Sequence, residues 1–210
     1  MAMDQAIFDH TLQSGSACAR FYAWNEPAIT VGYFHEFKAL EQASPKPIRR
    51  FTGGGLVEHG DDLTFVLTLP ADSGPAKLTS EQRYRWIHQA LAAGLNSAGF
   101  SVILEANPTP SGTGACFQNS VTWDLISPRS GEKLGGGAQR RSGGAVIHQG
   151  SVRLPIHLRN PEAKWIDSFL AALAKKVSPL PIDFPSSFSE VARMYQDEQF
   201  STDDWNRWTL

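Results

Sequence analysis

Arg49-Arg50-Phe51-Thr52-Gly53-Gly54-Gly55-Leu56-Val57-Glu58-His59, continued by Gly60-Asp61-Asp62 and Leu63-Thr64-Phe65-Val66-Leu67-Thr68-Leu69, is the stretch on which the reading of this chain turns. Its last part alternates. Leu63, Phe65, Leu67 and Leu69 fall on one face of an extended chain and Pro70 stops the run, which predicts a strand with one apolar face. Its first part differs in kind: consecutive residues without Cβ leave main-chain N–H groups open to a ligand, and the adjoining arginines supply positive charge. Gly131-Glu132-Lys133-Leu134-Gly135-Gly136-Gly137-Ala138-Gln139-Arg140-Arg141 repeats the combination. Either glycine run alone reads as a tight turn or loop. Two of them, each beside an apolar strand-like run, point to a site for an anionic ligand.

Working outward, Met3, Ile7, Phe8 and Leu12 recur at helical spacing and predict a helix over 3–13 that ends near Gly15. Strands are expected over 20–24, 28–33, 100–104, 120–126, 132–135 and 146–154. Thr79 and Gln82 form a capping box ahead of Tyr84, Ile87, Leu91, Leu95 and Ala98, a stripe that ends at Gly99. A further helix is expected to open at Asn160-Pro161 and carry Trp165, Ile166, Phe169, Leu170 and Leu173. Ser187 and Glu190 suggest another capping box, and Trp205 and Trp208 a last turn. Helices interspersed among hairpin-linked strands give an α+β fold with a mixed, largely antiparallel sheet and flanking helices. The expected organisation is one domain over 1–210, with 178–210 an extension packed on it and no accessory domain.

A formal charge of -2 over 210 residues argues against bulk attraction to nucleic acid or membrane and leaves only local basic patches, the Arg49-Arg50 and Arg140-Arg141 pairs. The amino terminus has neither the basic start nor the apolar run of a secretory signal, and no segment approaches the length that spans a bilayer. Two cysteines without a CxxC spacing fit a reducing compartment. The expected location is therefore the cytoplasm. Neither glycine run matches a Walker or a dinucleotide fingerprint.

Lys133, beside exposed main-chain N–H groups, is a candidate for polarising a carbonyl or holding an oxyanion; the alternative is a solvated turn lysine. On the first view, Lys133→Ala is expected to remove activity while leaving the fold intact, because an exposed loop lysine contributes little to stability. Cys116, in a loop after Gly112-Thr113-Gly114-Ala115, is a candidate nucleophile if cations such as Lys133, Arg140 or His148 lie nearby, or else a buried inert thiol. His59 and His148 lack partners at metal-ligand spacing, so no metal site is expected. Each is left to hydrogen-bond a ligand or its own loop. Asp61 and Asp62 either build a turn or orient a basic group.

The segment Arg49 to His59 with Asp62-Leu63-Thr64-Phe65, and Gly131 to Arg141 with His148-Gln149-Gly150-Ser151, resemble the two signature segments of the lipoate-protein ligase and octanoyltransferase superfamily, which includes biotin protein ligases. Phe21-Tyr22 and Trp24, with Ala28-Ile29 and Val31-Gly32, are similar to its opening strands, so the likeness spans 2–175. The resemblance implies attachment of an octanoyl or lipoyl group to a lysine ε-amine on lipoyl domains of 2-oxoacid dehydrogenases or glycine cleavage H protein. Acyl carrier protein, another lipoyl protein, or free lipoate or octanoate would be the donor. It implies catalytic roles for Lys133 and Cys116, and substrate contacts from Arg50, Thr52, Gly53, Gly54, Gly55, His59, Gly135, Gly136, Gly137, Ala138, Gln139, Arg140 and His148. Transfer through a Cys116 thioester needs no cofactor, whereas the ligase route needs ATP and Mg2+. Family ligases commonly carry an additional C-terminal domain, and too few residues follow the Trp165 helix for one. A non-catalytic acyl-binding relative is the remaining alternative, and Lys133 speaks against it.

Overall fold

The computed structural model describes residues 1–36, 42–108, 120–173 and 186–207. In chain order they form α1 (Ala2–Ser14), β1 (Cys18–Tyr22), β2 (Ala28–Val31), β3 (Ile48–Arg49), β4 (Val57–His59), β5 (Asp62–Leu69), α2 (Gly74–Lys77) and α3 (Ser80–Ser97). There follow β6 (Ile103–Leu104), β7 (Leu125–Ile126), β8 (Lys133–Ser142), β9 (Ala145–Arg153), α4 (Lys164–Leu173), α5 (Ser186–Tyr195) and α6 (Asp203–Asn206). The main sheet has the order β1-β5-β9-β8-β7-β6 and its pairings are antiparallel. A smaller sheet, β3-β2-β4, contributes the one parallel pairing among the described strands, β2 with β3. The fold is thus α+β with a mixed, largely antiparallel sheet, as the order of elements predicts.

Leu63, Phe65, Leu67 and Leu69 do share a face, and they pack with Val146 and Val152 of β9 under α3 and α4. Ile87, Leu91 and Leu95 of α3 are fully buried there. Each contributes about 1.5–3 kcal/mol by leaving water. The capping box of α3 forms, with Gln82 N–H donating to Thr79 Oγ1 at 3.2 Å and Thr79 N–H to Gln82 Oε1 at 3.1 Å. The other face of β5 is buried as well, because α1 lies over Val66, Ala145 and Ile147 through Phe8. β5 is central and covered on both sides, so its polar residues are internal.

Several expectations are corrected. The second glycine run is the middle of β8, hydrogen-bonded to β9 from Gly135 to Ser142, and is no loop. The strand expected over 120–126 shrinks to β7, since Val121 to Asp124 make a turn closed by the Asp124 N–H to Val121 carbonyl bond of 3.0 Å. Pro161 lies in a turn ahead of α4 and does not open the helix. Ser187 sits inside α5, whose first residue is Ser186. Trp205 belongs to α6 as expected, and Trp208 lies outside the described residues.

Residues 186–207 lie on the α1 side. Ala192 and Phe200 pack with Ala2 and Ala6. Arg49, fully buried, donates to the carbonyls of Gly32, Tyr33 and His35 at 3.2, 2.8 and 2.8 Å, and to those of Trp205 and Asn206 at 3.1 Å each. One guanidinium with its fixed fork of donors ties the first glycine segment to the small sheet and to α6.

Candidate active site

The two sheets enclose a cleft of about 490 Å³, counting the solvent at its mouth. Val57 and His59 of β4 with Thr30 of β2 make one wall; Gly136 and Ala138 of β8, Gln149 and Ser151 of β9 and Thr64 of β5 make the other. Lys133 and Gly54 line it too. The glycine segments, far apart in sequence, therefore meet at one cavity. Its floor crosses three adjacent strands from Lys133 towards Thr64.

Lys133 reaches the cleft through a β-bulge. Leu125 pairs with Gly135 and Ile126 with Lys133, so Leu134 is extra and Lys133 shares a face with Gly136, three residues on. A Cβ on Gly136 would stand 2.8 Å from Asp124 Oδ1 and 2.9 Å from Lys133 Cε. Gly136 is thus the floor on which an ion pair rests: Lys133 Nζ lies 2.7 Å from Asp124 Oδ2, both side chains at 5% exposure or less. Lys133 is no solvated turn lysine, and its removal strands a buried carboxylate.

Asp124 is held from several directions. Val121 N–H donates to Oδ2 at 2.7 Å, and the Tyr84 hydroxyl to Oδ1 at 2.5 Å. Its neighbour Trp123 adopts φ 74, a conformation that costs about 1–3 kcal/mol in a non-glycine residue. The Trp123 carbonyl accepts from His88 Nδ1 at 2.7 Å, while its indole N–H donates to Glu81 at 3.2 Å. α3 thereby braces the turn that carries Asp124.

The first glycine segment is shaped from within. Arg50 donates to Thr30 Oγ1 at 2.8 Å and to the carbonyls of Gly53 and Gly55 at 3.1 and 2.7 Å, and Gly54 takes φ 91, which favours glycine. Thr52 donates to Gln149 Oε1 at 2.8 Å, and Gln149 Nε2 donates to Asp4 at 2.8 Å. At the far end of the cleft, His59 Nδ1 lies 2.8 Å from Asp62 Oδ2 and its Nε2 2.7 Å from Thr30 Oγ1. Burial alone would raise the Asp62 carboxyl, but the hydrogen bonds and charge of His59, with donors from Ser151 and Gly60, hold it below the ordinary carboxylate value. Asp62 both closes the turn, through Gly60 N–H, and orients a basic group.

Of the residues singled out in the sequence, Lys133, Arg50, Gly54, His59, Gly136, Gly137 and Ala138 line the cleft; Thr52, Gly53 and Gly55 support its lining. The structure does not bring His148, Gln139 or Gly135 to it. Their side of the sheet faces α3 and the main core: a Cβ on Gly135 would meet Val152, and Gln139 accepts from Arg83 at 2.6 Å. His148 is fully buried against Phe65, Tyr84 and His88, with ring centroids 5.4–5.6 Å away. Burial, with neighbouring His88 and Arg83, pushes its imidazole well below the usual value, so it is neutral. Arg140 lies outside the lining, stacked on Phe51 and Tyr33 and donating to the Phe51 carbonyl at 3.1 Å. Cys116 lies outside the described residues.

Sequence reasoning missed Asp124 and took Tyr84 for part of an apolar stripe. A hydroxyl among aliphatic residues on α3 was the available signal for Tyr84; nothing local marks Asp124. Among the described residues no group of three or more His, Cys, Asp or Glu could hold a metal ion, and no helix is long and apolar enough to cross a membrane.

A glycine loop and a glycine strand facing one narrow cleft between sheets, with a buried lysine in it, mark a known class, and the chain belongs to it: the lipoyl protein ligase A/B catalytic domain family, whose model matches residues 1–207. Among its relatives, the chain is 34% identical over 169 residues to octanoyltransferase LipM of Moorella thermoacetica, covering 75% of this chain and 61% of that protein. It is 31% identical over 202 residues to octanoyltransferase LipM of Symbiobacterium thermophilum, covering 86% and 72%. The chain spans about three fifths of the length of several curated relatives it matches, 60–62%. Its fold is similar to that of a lipoate-protein ligase A bound with ATP, with TM-score 0.71, 20% identity and coverage of 100% of this chain and 93% of that one. It is likewise similar to a bi-partite lipoate protein ligase from Thermoplasma acidophilum, with TM-score 0.69, 18% identity and coverage of 100% and 91%.

Proposed function

We propose that this protein is an acyltransferase that moves an octanoyl group, or its lipoyl counterpart, onto the ε-amine of a lysine on a lipoyl domain. The cleft that runs from Lys133 across β8, β9 and β5 carries this reading. Two inter-strand steps span about 10 Å at roughly 4.8 Å each. An extended eight-carbon chain, advancing about 1.2 Å per bond as an extended backbone does, needs about 8–9 Å. Lys133 at one end would meet the carbonyl; Thr64, Ser151 and His59 would enclose the other end. The relatives named octanoyltransferase support the same reading.

In the favoured route the Cys116 thiolate attacks a donor thioester, taking the acyl group as the donor C–S bond breaks and releasing the donor thiolate, which takes a proton from solvent. The neutral acceptor amine then attacks the Cys116 thioester. Negative charge grows on the carbonyl oxygen beside the Lys133 ammonium, the C–S bond breaks, and an amide and a Cys116 thiolate result, with the amine's proton leaving to solvent or thiolate. Lys133 also disfavours the charged form of the incoming amine. Acyl carrier protein or another lipoyl protein is the donor, and lipoyl domains of 2-oxoacid dehydrogenases or glycine cleavage H protein are the acceptors.

ATP and Mg2+ belong to the ligation route. The donor set does not single out a triphosphate site: Arg50 and Arg140 direct N–H groups to main-chain carbonyls, as does Arg141 to those of Gly144 and Ala76, and Arg83 to Gln139, Ala76 and Leu78. The experiment is intact-mass analysis after incubation with octanoyl-acyl carrier protein. An octanoyl adduct absent from Cys116→Ala, and its passage to a lipoyl domain, is the expected result. No adduct, together with lipoate-dependent ATP–pyrophosphate exchange, would overturn transfer in favour of ligation.

A further inference from the structure

We infer that Tyr84 is a positioning residue that sets Lys133 for acyl transfer through Asp124. This rests on the proposed role of Lys133 and adds a residue of α3 to it. The geometry is specific. β7 ends its pairing with β8 at Gly135. Two residues on, the Gly137 N–H is received at 2.9 Å by the Tyr84 hydroxyl, which passes its own proton towards Asp124 Oδ1 at 2.5 Å. The other carboxylate oxygen meets Lys133 Nζ at 2.7 Å. One phenol therefore joins the glycine strand to the carboxylate that holds the ammonium and helps to set that carboxylate's rotation.

The phenol is itself held. Its ring lies 3.9 Å from that of His88, centroid to centroid, and 5.6 Å from that of His148. His88 donates to the carbonyl of Trp123, next to Asp124. Both imidazoles are fully buried, and among the described residues His88 Nε2 and both His148 nitrogens have no hydrogen-bond partner. Two uncharged rings packed so tightly act as a wedge behind Tyr84. This gives His148, which does not reach the cleft, a place in the site.

The test is Tyr84→Phe, which keeps the ring and removes the hydroxyl. Asp124 then loses one donor and Lys133 swings. The kcat for octanoyl transfer is expected to fall by about a hundred-fold, the effect of a displacement near 1 Å, with KM for the lipoyl domain unchanged within about twofold. In protein labelled with 15N-lysine, the Lys133 Nζ resonance, assigned by its loss in Lys133→Arg, should move in Tyr84→Phe. In an Asp124→Asn background the same substitution should cost little more, because both act on one path. Wild-type kcat in Tyr84→Phe, an unmoved Lys133 resonance, or fully additive losses would each overturn the inference. If the phenylalanine variant does not fold, Tyr84→3-fluorotyrosine keeps the shape and makes the hydroxyl more acidic: a moved Lys133 resonance supports the inference and an unmoved one overturns it. A wild-type protein that transfers no octanoyl group would defeat the functional reading alone, since the resonance reports the coupling without turnover.

Discussion

Replacing Lys133 by methionine should destabilise the protein as well as inactivate it, and the size of the loss follows from the site. The ammonium lies 2.7 Å from Asp124 Oδ2 at exposures of 5% and 0%. Removing one member of a pair buried so deeply leaves an uncompensated charge, which costs about 3–5 kcal/mol. Asp124 retains the Tyr84 hydroxyl and the Val121 N–H, so the lower end, about 3 kcal/mol, is expected. Urea unfolding followed by circular dichroism measures it. In the Lys133→Met/Asp124→Asn variant the stranded charge is gone, and the deficit should shrink to about 1–2 kcal/mol, that of altered neutral hydrogen bonds. A single variant within about 0.5 kcal/mol of wild type, the ordinary scatter of surface substitutions, would refute the buried ion pair.

Two further outcomes follow from the buried imidazoles and the glycine floor. Burial lowers His88 from 6.5 to about 4, so between those values the unfolded chain binds a proton that the folded one refuses. The stabilisation is full above about pH 6.5 and falls by about 3 kcal/mol as pH drops towards 4, at 1.36 kcal/mol per pKa unit. His88→Phe should make that part of the stability–pH curve shallower, with buried His148, also pushed well below the usual value, carrying the remainder; urea unfolding at pH 7 and 4.5 measures it, and an unchanged slope would refute the contribution of His88. Gly136→Ala puts a methyl group 2.8 Å from Asp124 Oδ1 and 2.9 Å from Lys133 Cε. It should lower kcat for transfer by about a hundred-fold, whereas Gly53→Ala, with open space around its Cβ, should be far milder; equal effects would contradict the floor.

What the sequence disclosed depended on the range of the interaction. The Thr79–Gln82 capping box and the alternation of β5 are set within a few residues, and both appear as read. Gly135-Gly136-Gly137 misled because glycine weakens strands in general. Here it is strand for a tertiary reason: the ion pair lies over Gly136, and a Cβ on Gly137 would overlap the His148 ring. Ser187 and Pro161 misled in a smaller way, each carrying a helix-start signal that the chain places a few residues from the real boundary. The motif residues announced the cleft, but Asp124 meets Lys133 across the β7–β8 turn, and Tyr84 and the bracing of Arg49 by α6 come from partners tens of residues away or more. No local pattern records such pairings.

The central claim is that Lys133 faces the acyl carbonyl at one end of the cleft between the sheets. A crystal structure of the protein carrying an octanoyl group measures this directly. The carbonyl oxygen should lie about 2.7–3.2 Å from Lys133 Nζ, with the alkyl chain over Gly136 and Ser151 towards Thr64. An acyl group bound outside this cleft, or bound within it with its carbonyl turned away from Lys133, would contradict the account.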